Sequence, residues 1–521
     1  MDRGSGVSAV SITELLAAIS LATDLGTGQP LGHALRTCVR SVRVARELGL
    51  ADDVVREVHH VALLRFIGCT SDASDTARMV GGDNRAFVSA MAPVLHGGQR
   101  DQVGRFVRSV GADQGWARRA RLVAAGLADP GGAARSLSTH CEVAARLGTR
   151  LGLDRGTVDA LAHAYERWDG AGFPSGLAGE EVPISVRVVS VVRDAELFAQ
   201  VAPSEADAIL HARRGRAYDP AVVDVVLRSR DDGDAAGDNG GGAWDAALAA
   251  EPGPTQLAGP GEVDTVLEAV ADFADLYIPW TRGRAHRVAQ VARDAARACG
   301  LTGAEAHRVW RAGLVQDVGR VGVAAGVWNH PGPLDAAAWE QVRLHPYLTE
   351  RVLTRCAGLA GLAAVAGAHQ ERLDGSGYHR GCQEGEITTA ARLLAAADVL
   401  VATTEARPHR PALDEAAAVA TLREEATAGR LGTDAVDAVC VAAGHVERVA
   451  RRGWPSGLTG REVDVLRLIA RGRTNREVAA ALHLSPKTVG RHIENLYGKT
   501  GVSSRAAAAL FAMEHRLLDP P

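Results

Sequence analysis

The sequence predicts an all-α protein. Ala, Leu, Arg and Val recur at spacings of three and four, while strand-favouring aromatics are scarce, with 7 Phe and 6 Tyr in 521 residues. One stretch, RDDGDAAGDNGGGAWDAALAAEPGPTQLAGPGE (about 230–262), is rich in Gly, Asp and Pro and reads as a flexible linker. The segments on its two sides repeat each other. These observations predict two related helical domains and a separate helical module at the C-terminal end.

In chain order, residues 8–229 form the first repeat, with an insertion at about 70–130 to which the sequence assigns no role. The linker follows, then a second repeat at 263–450 and the C-terminal module at 455–518. The duplication rests on matched blocks: ERWDGAGFPSG from Glu166 parallels ERLDGSGYHRG from Glu371. His140 and His345 each lie 26 residues before those glutamates. His33 is 32 residues before Arg65, and Arg284 is 32 residues before Gln316. The glycines of the shared loop, Gly170, Gly172, Gly375 and Gly377, are expected to adopt positive φ, with the neighbouring Arg and Asp bonding a turn.

Composition narrows the function. No apolar run reaches the roughly 20 residues of a membrane helix, so no membrane partner and a cytoplasmic location are expected. Seven scattered cysteines without a CxxC pair build neither a disulfide framework nor a thiolate zinc site. The net charge of −4 is unevenly divided: residues 456–518 hold ten Lys and Arg against five Asp and Glu, or +5, leaving −9 elsewhere. Positive charge collects where a polyanion would dock.

Within that module Thr459 caps a helix REVDVLRLIARG, with Glu462 completing a capping box and Gly472 ending it. Thr474 caps NREVAAAL, and Ser485-Pro486 opens PKTVGRHIENLYGKTG, whose Val489, Ile493 and Leu496 face inward. The stretch from LTGREVDVLRLIARG to GVSSR resembles the LuxR/GerE-type helix-turn-helix. That resemblance implies double-stranded DNA as partner, a third helix reading the major groove, and a fourth, SSRAAAALFAMEHRLL, that helps form a homodimer. It makes Lys487, Thr488 and Arg491 the base-edge contacts. Asn495 and Lys499 either touch phosphate or fix the helix, and His492 packs. Gly490 departs from the family, which commonly has a long side chain there.

The blocks TRGRAHRVA, AGLVQDVGRVGV, the HPYLTERVL segment, AHQERLDGSGYHRG and AAADVL resemble the HD-GYP branch of the HD-domain phosphohydrolases. Those enzymes cleave phosphodiesters, typically cyclic di-GMP, with metal ions held by His and Asp. Carried onto the second repeat, the resemblance gives Asp317, His345, His369 and Asp398 as residual ligands. Arg284, Gln316 and Gln370 stand where histidines are required. The first repeat keeps His33 and His140 but has Arg65-Phe66, Ala164-Tyr165 and Arg193 at ligand positions, with Asp194 one residue out of register. The sequence therefore reads as a DNA-binding transcription regulator whose HD-like repeats are non-catalytic sensory or dimerisation domains, with no cofactor and no catalytic residues. The alternative is a phosphohydrolase using a divalent metal at the four residual ligands. A third reading keeps the old cleft, with Arg320 near its phosphate site, as a nucleotide or other small-molecule pocket.

Overall fold

The computed structural model describes residues 10–229, 241–444 and 454–518. They form helices almost throughout, and the two short strands among them, Val10–Ser11 and Leu257–Ala258, pair antiparallel. None of these helices is long and apolar enough to cross a membrane. The chain divides into two compact units, 1–263 and 264–521.

In the first unit, the helices His33–Glu47, Asp52–Leu64 and Ile184–Val201 pack together, and Leu35, Val42, Val58, Leu63, Val188 and Val192 are buried in their core. The stretch expected to be a flexible linker is ordered over its described part, which corrects that expectation; residues 230–240 lie outside the described residues. A helix, Gly241–Ala249, buries Trp244 and Ala247. The carbonyl of Ala247 meets buried His59 Nε2 at 2.9 Å, and Leu257–Ala258 closes against the chain's first strand. The Gly and Pro count hid the apolar face of WDAALA. The insertion folds into the helices Ala73–Val80, Asn84–Met91, Gln99–Ser109 and Trp116–Leu127.

The second unit repeats the plan with the helices Arg284–Ala298, Gly303–Val315 and Thr389–Thr403. Each repeat opens its first long helix in the same way. A glycine with φ near the left-handed region, Gly32 at +82° or Gly283 at +75°, precedes His33 or Arg284. A buried aspartate nine residues earlier, Asp24 or Asp275, accepts the N–H of Ala34 or Ala285. Gly68 and Gly319 serve a second shared contact, since a Cβ at either would lie 2.0 or 2.2 Å from the carbonyl oxygen of His140 or His345.

The C-terminal helices are Gly460–Ala470, Asn475–Leu482, Pro486–Thr500 and Arg505–Glu514. Thr459, Thr474 and Ser485 cap the first three as expected, and Glu477 adds a second capping box. Inside this second unit, Arg282 donates to the carbonyl of Ala470 at 2.5 Å. Leu518 covers Gly283, where an added Cβ would lie 3.2 Å from its Cδ1. The fourth helix is buried from Ala506 through Met513.

Candidate functional site

In the second repeat three of the four residual ligand candidates come together. One oxygen of Asp317 and one ring nitrogen each of His345 and His369 lie within 4.8 Å of one another, all buried. His345 Nδ1 donates to the carbonyl of Val342 and His369 Nδ1 to that of Ala366, each at 2.7 Å. Those bonds fix both rings and leave the Nε2 lone pairs facing each other at 3.2 Å. Asp317 Oδ1 stands 3.5 Å from each Nε2, the outer limit of a hydrogen bond. Lone pairs converge favourably only around a proton or a cation. Burial alone would raise the Asp317 carboxyl, but the Arg320 guanidinium 2.7 Å away holds it well below the usual carboxylate range. Burial lowers His345. This donor set fits a single divalent ion.

Asp398 does not join them, a correction to the four-ligand set. Its Oδ1 accepts from Arg284 at 2.7 Å and from the Gln316 amide at 2.6 Å, and its Oδ2 accepts from the Gln370 amide at 2.9 Å. Arg284, 1% exposed, also bonds Glu405 at 2.5 Å and approaches Asp317 at 3.5 Å. All three residues that replace histidines thus engage one carboxylate. A fixed guanidinium charge lies where a second cation would be held, and a two-metal arrangement does not fit. Glu405, missed by the sequence reading, was detectable by asking what neutralises a buried arginine that already faces an aspartate.

The shared loops have a structural job. Glu371 accepts the backbone N–H groups of Arg380 and Cys382, and Glu166 those of Ser175, Gly176 and Leu177. Only Gly170 and Gly375 of the four loop glycines have positive φ, +73° and +79°. Gly172 and Gly377 are required for a different reason: a Cβ there would lie 2.5 and 2.6 Å from the Cα of Glu166 and Glu371. Arg167 pairs with Asp169, and Asp374 accepts from Ser376 N.

In the first repeat the insertion supplies partners. Its Asp72 bonds His140 at 2.8 Å, and its His96 bonds Asp194 at 2.8 Å. His33 is fully buried beside Arg193.

In the C-terminal module Val489 and Leu496 are buried and Ile493 is half-buried, as an inward stripe requires. Lys487, Thr488, Arg491 and Asn495 are exposed along the opposite face of the same helix. Lys499 instead bonds Glu462 at 2.7 Å, tying this helix to the first, and His492 is half-buried. Around Gly490 an added Cβ would meet nothing within 4 Å.

The HD domain family model matches residues 134–222 and 268–434, and that of bacterial regulatory proteins of the luxR family matches 456–512. The chain carries an HD domain and a luxR-family DNA-binding domain. The 3'3'-cGAMP-specific phosphodiesterase 3 of Vibrio cholerae is 29% identical over 443 residues, 83% of this chain and 93% of that one. A crystal structure of cyclic GMP-AMP specific phosphodiesterase from V. cholerae (V-cGAP3) shares the fold, with a TM-score of 0.58 at 22% identity over 84% of this chain and 99% of that one. The luxR-family domain is 53% identical over 60 residues to the transcriptional regulatory protein YhcZ of Bacillus subtilis, 12% of this chain and 28% of that one.

Proposed function

We propose that this chain is a sequence-specific transcription regulator whose HD repeats do not hydrolyse phosphodiesters and act as its regulatory body. The observation that carries the reading is Arg284, whose guanidinium pairs with Asp398 and Glu405 where metal chemistry would need an open, ligand-lined position. Lys487, Thr488, Arg491 and Asn495 form the surface offered to the major groove of double-stranded DNA, and the chain binds its operator as a homodimer. The purified chain, supplied with manganese, iron or zinc and a panel of cyclic dinucleotides, is expected to release no product. Footprinting is expected to reveal a two-fold operator. Turnover with stoichiometric metal would overturn the non-catalytic part.

One observation favours a second reading, a one-metal phosphodiesterase coupled to DNA binding: the convergence of Asp317, His345 and His369. The bound ion would supply Lewis acidity, while Asp317 and the two Nε2 atoms hold it and Arg320 stands beside Asp317 to meet an anionic group. The two readings separate in the variant carrying Arg284→His, Gln316→His and Gln370→His. Under the non-catalytic reading it gains hydrolysis that the natural chain lacks. Under the one-metal reading the natural chain already turns over.

A further inference from the structure

At two of the positions where the HD-GYP resemblance places metal ligands the first repeat carries arginines, Arg65 and Arg193, and the result is a buried cluster with more positive charge than its neighbours neutralise. Arg65, 2% exposed, makes one hydrogen bond, to Ser190 Oγ at 2.8 Å, and its Nε and Nη2 have no partner. Arg193, equally buried, bonds Asp194 and the carbonyl of Ala92, and its Nε has no partner. Both guanidinium groups lie against the Phe66 ring, 5.9 and 5.2 Å from its centroid, so they share one side-chain environment. Arg213 approaches Asp194 at 3.5 Å. Arg193 and Arg213 thus share the Asp194 carboxylate, and Arg65 has only the Ser190 hydroxyl, which leaves three guanidinium groups with one carboxylate, an excess of two positive charges.

Burying a guanidinium without a counter-charge is costly, and each unmet buried donor adds to that cost. An anion removes both penalties. The histidines indicate which kind. His96 Nδ1 donates to Asp194, so the neutral ring presents an acceptor at Nε2, which has no partner. Neither ring nitrogen of fully buried His33 has a partner, and burial beside Arg193 keeps that ring neutral, lowered to about 3. Donors from two arginines beside acceptors from neutral imidazoles match an oxyanion that itself carries a proton. Tyr165, 5.4 Å from the Arg65 guanidinium, and Phe66 lie against the cluster, and both arginines are 2% exposed, so only a small anionic group suits it.

We propose that Arg65, Arg193, His96 and His33 form a binding site for a monoprotonated phosphate, either the inorganic ion or the terminal phosphoryl group of a phosphomonoester. The site does not depend on the regulator reading or on metal in the second repeat.

The test uses the full chain at constant ionic strength, following its thermal midpoint and calorimetric heat with chloride, sulfate, inorganic phosphate and adenosine monophosphate. Phosphate is expected to raise the midpoint saturably, with sulfate at least tenfold weaker because it carries no proton at neutral pH. Adenosine monophosphate binding more tightly than phosphate assigns the site to a phosphomonoester, and weaker binding assigns it to the inorganic ion. Arg65→Met, which keeps an unbranched apolar stem against Phe66 and Tyr165, is expected to fold with an anion-free midpoint no lower than the natural chain's and to lose the phosphate response. Arg491→Ala removes a cation of the DNA-binding face and is expected to retain it. A full phosphate response in Arg65→Met, a response lost in Arg491→Ala, or equal sulfate and phosphate affinity would overturn the assignment. Where Arg65→Met does not fold, absence of saturable phosphate heat in the natural chain does the same.

Discussion

Arg284 holds together the chemistry of the second HD repeat. It is enclosed by Asp398, Glu405 and, farther off, Asp317, and their charges hold its guanidinium firmly protonated despite burial. Arg284→Ala leaves buried Asp398 without its counter-charge, while Glu405 keeps Arg287 and Asp317 keeps Arg320, and is expected to cost about 3–5 kcal/mol in urea unfolding. A loss below about 1 kcal/mol would show that water replaces the guanidinium without penalty. That Arg284, Gln316 and Gln370 stand where the HD-GYP resemblance places histidines was legible from the matched blocks. Their convergence on Asp398 was not, because it depends on which of two neighbouring carboxylates each side chain reaches. On the DNA-binding face, Arg491→Ala is expected to relax discrimination at one base pair by about 1–3 kcal/mol. Lys499→Ala acts through Glu462 and is expected to lower the thermal midpoint of the C-terminal module, alongside any loss of DNA affinity. Gly490 has open space around it, so Gly490→Lys is expected to gain about 0.5–1 kcal/mol of helix stability, read as a higher melting temperature.

At the scale of elements, caps were the most legible features. Thr459, Thr474 and Ser485 each bond the backbone three residues on, because a short hydroxyl before a helix satisfies an N–H that the helix itself cannot. The loop glycines were only half legible. A repeated glycine signals either a left-handed backbone or a close approach, and sequence does not separate the two. Gly170 is the first case and Gly172 the second. Gly172→Ala would drive a methyl group into the backbone of Glu166 and Arg167 and release the Glu166 bonds to the following turn. It is expected to destabilise the first unit by more than the about 1–2 kcal/mol of a left-handed alanine at Gly170. Chemical unfolding of the two variants side by side checks the order. Residues 241–258 were misread because glycine and proline dominate the composition, whereas burial of Trp244 and strand pairing depend on partners far away in the chain.

Across the whole molecule the duplication predicts a pH response that neither repeat reveals alone. Asp24 and Asp275, capping equivalent helices, are both pushed up to about 7 by burial, against which the backbone N–H bonds act only in part. A carboxyl raised in the folded state stabilises the fold fully below its unfolded value of 3.8, and that contribution is lost as pH rises through about 7. His33 acts in the opposite sense: lowered to about 3, it stabilises above its unfolded value of 6.5 and weakens the fold as pH falls. The double variant Asp24→Asn, Asp275→Asn is expected to gain on the natural chain, by a few kcal/mol, between pH 4 and pH 7.5. A stability difference that stays constant over that range would contradict the raised values. The carboxylate at Asp398 couples three positions that are far apart in the chain. A histidine placed at 284 alone would strip a buried acid of its arginine while two glutamines still occupy it, so this single change is expected to cost more than a change at either glutamine. Positions 284, 316 and 370 are thereby interdependent, and substitutions at them are expected to combine non-additively because all three act on the same carboxylate.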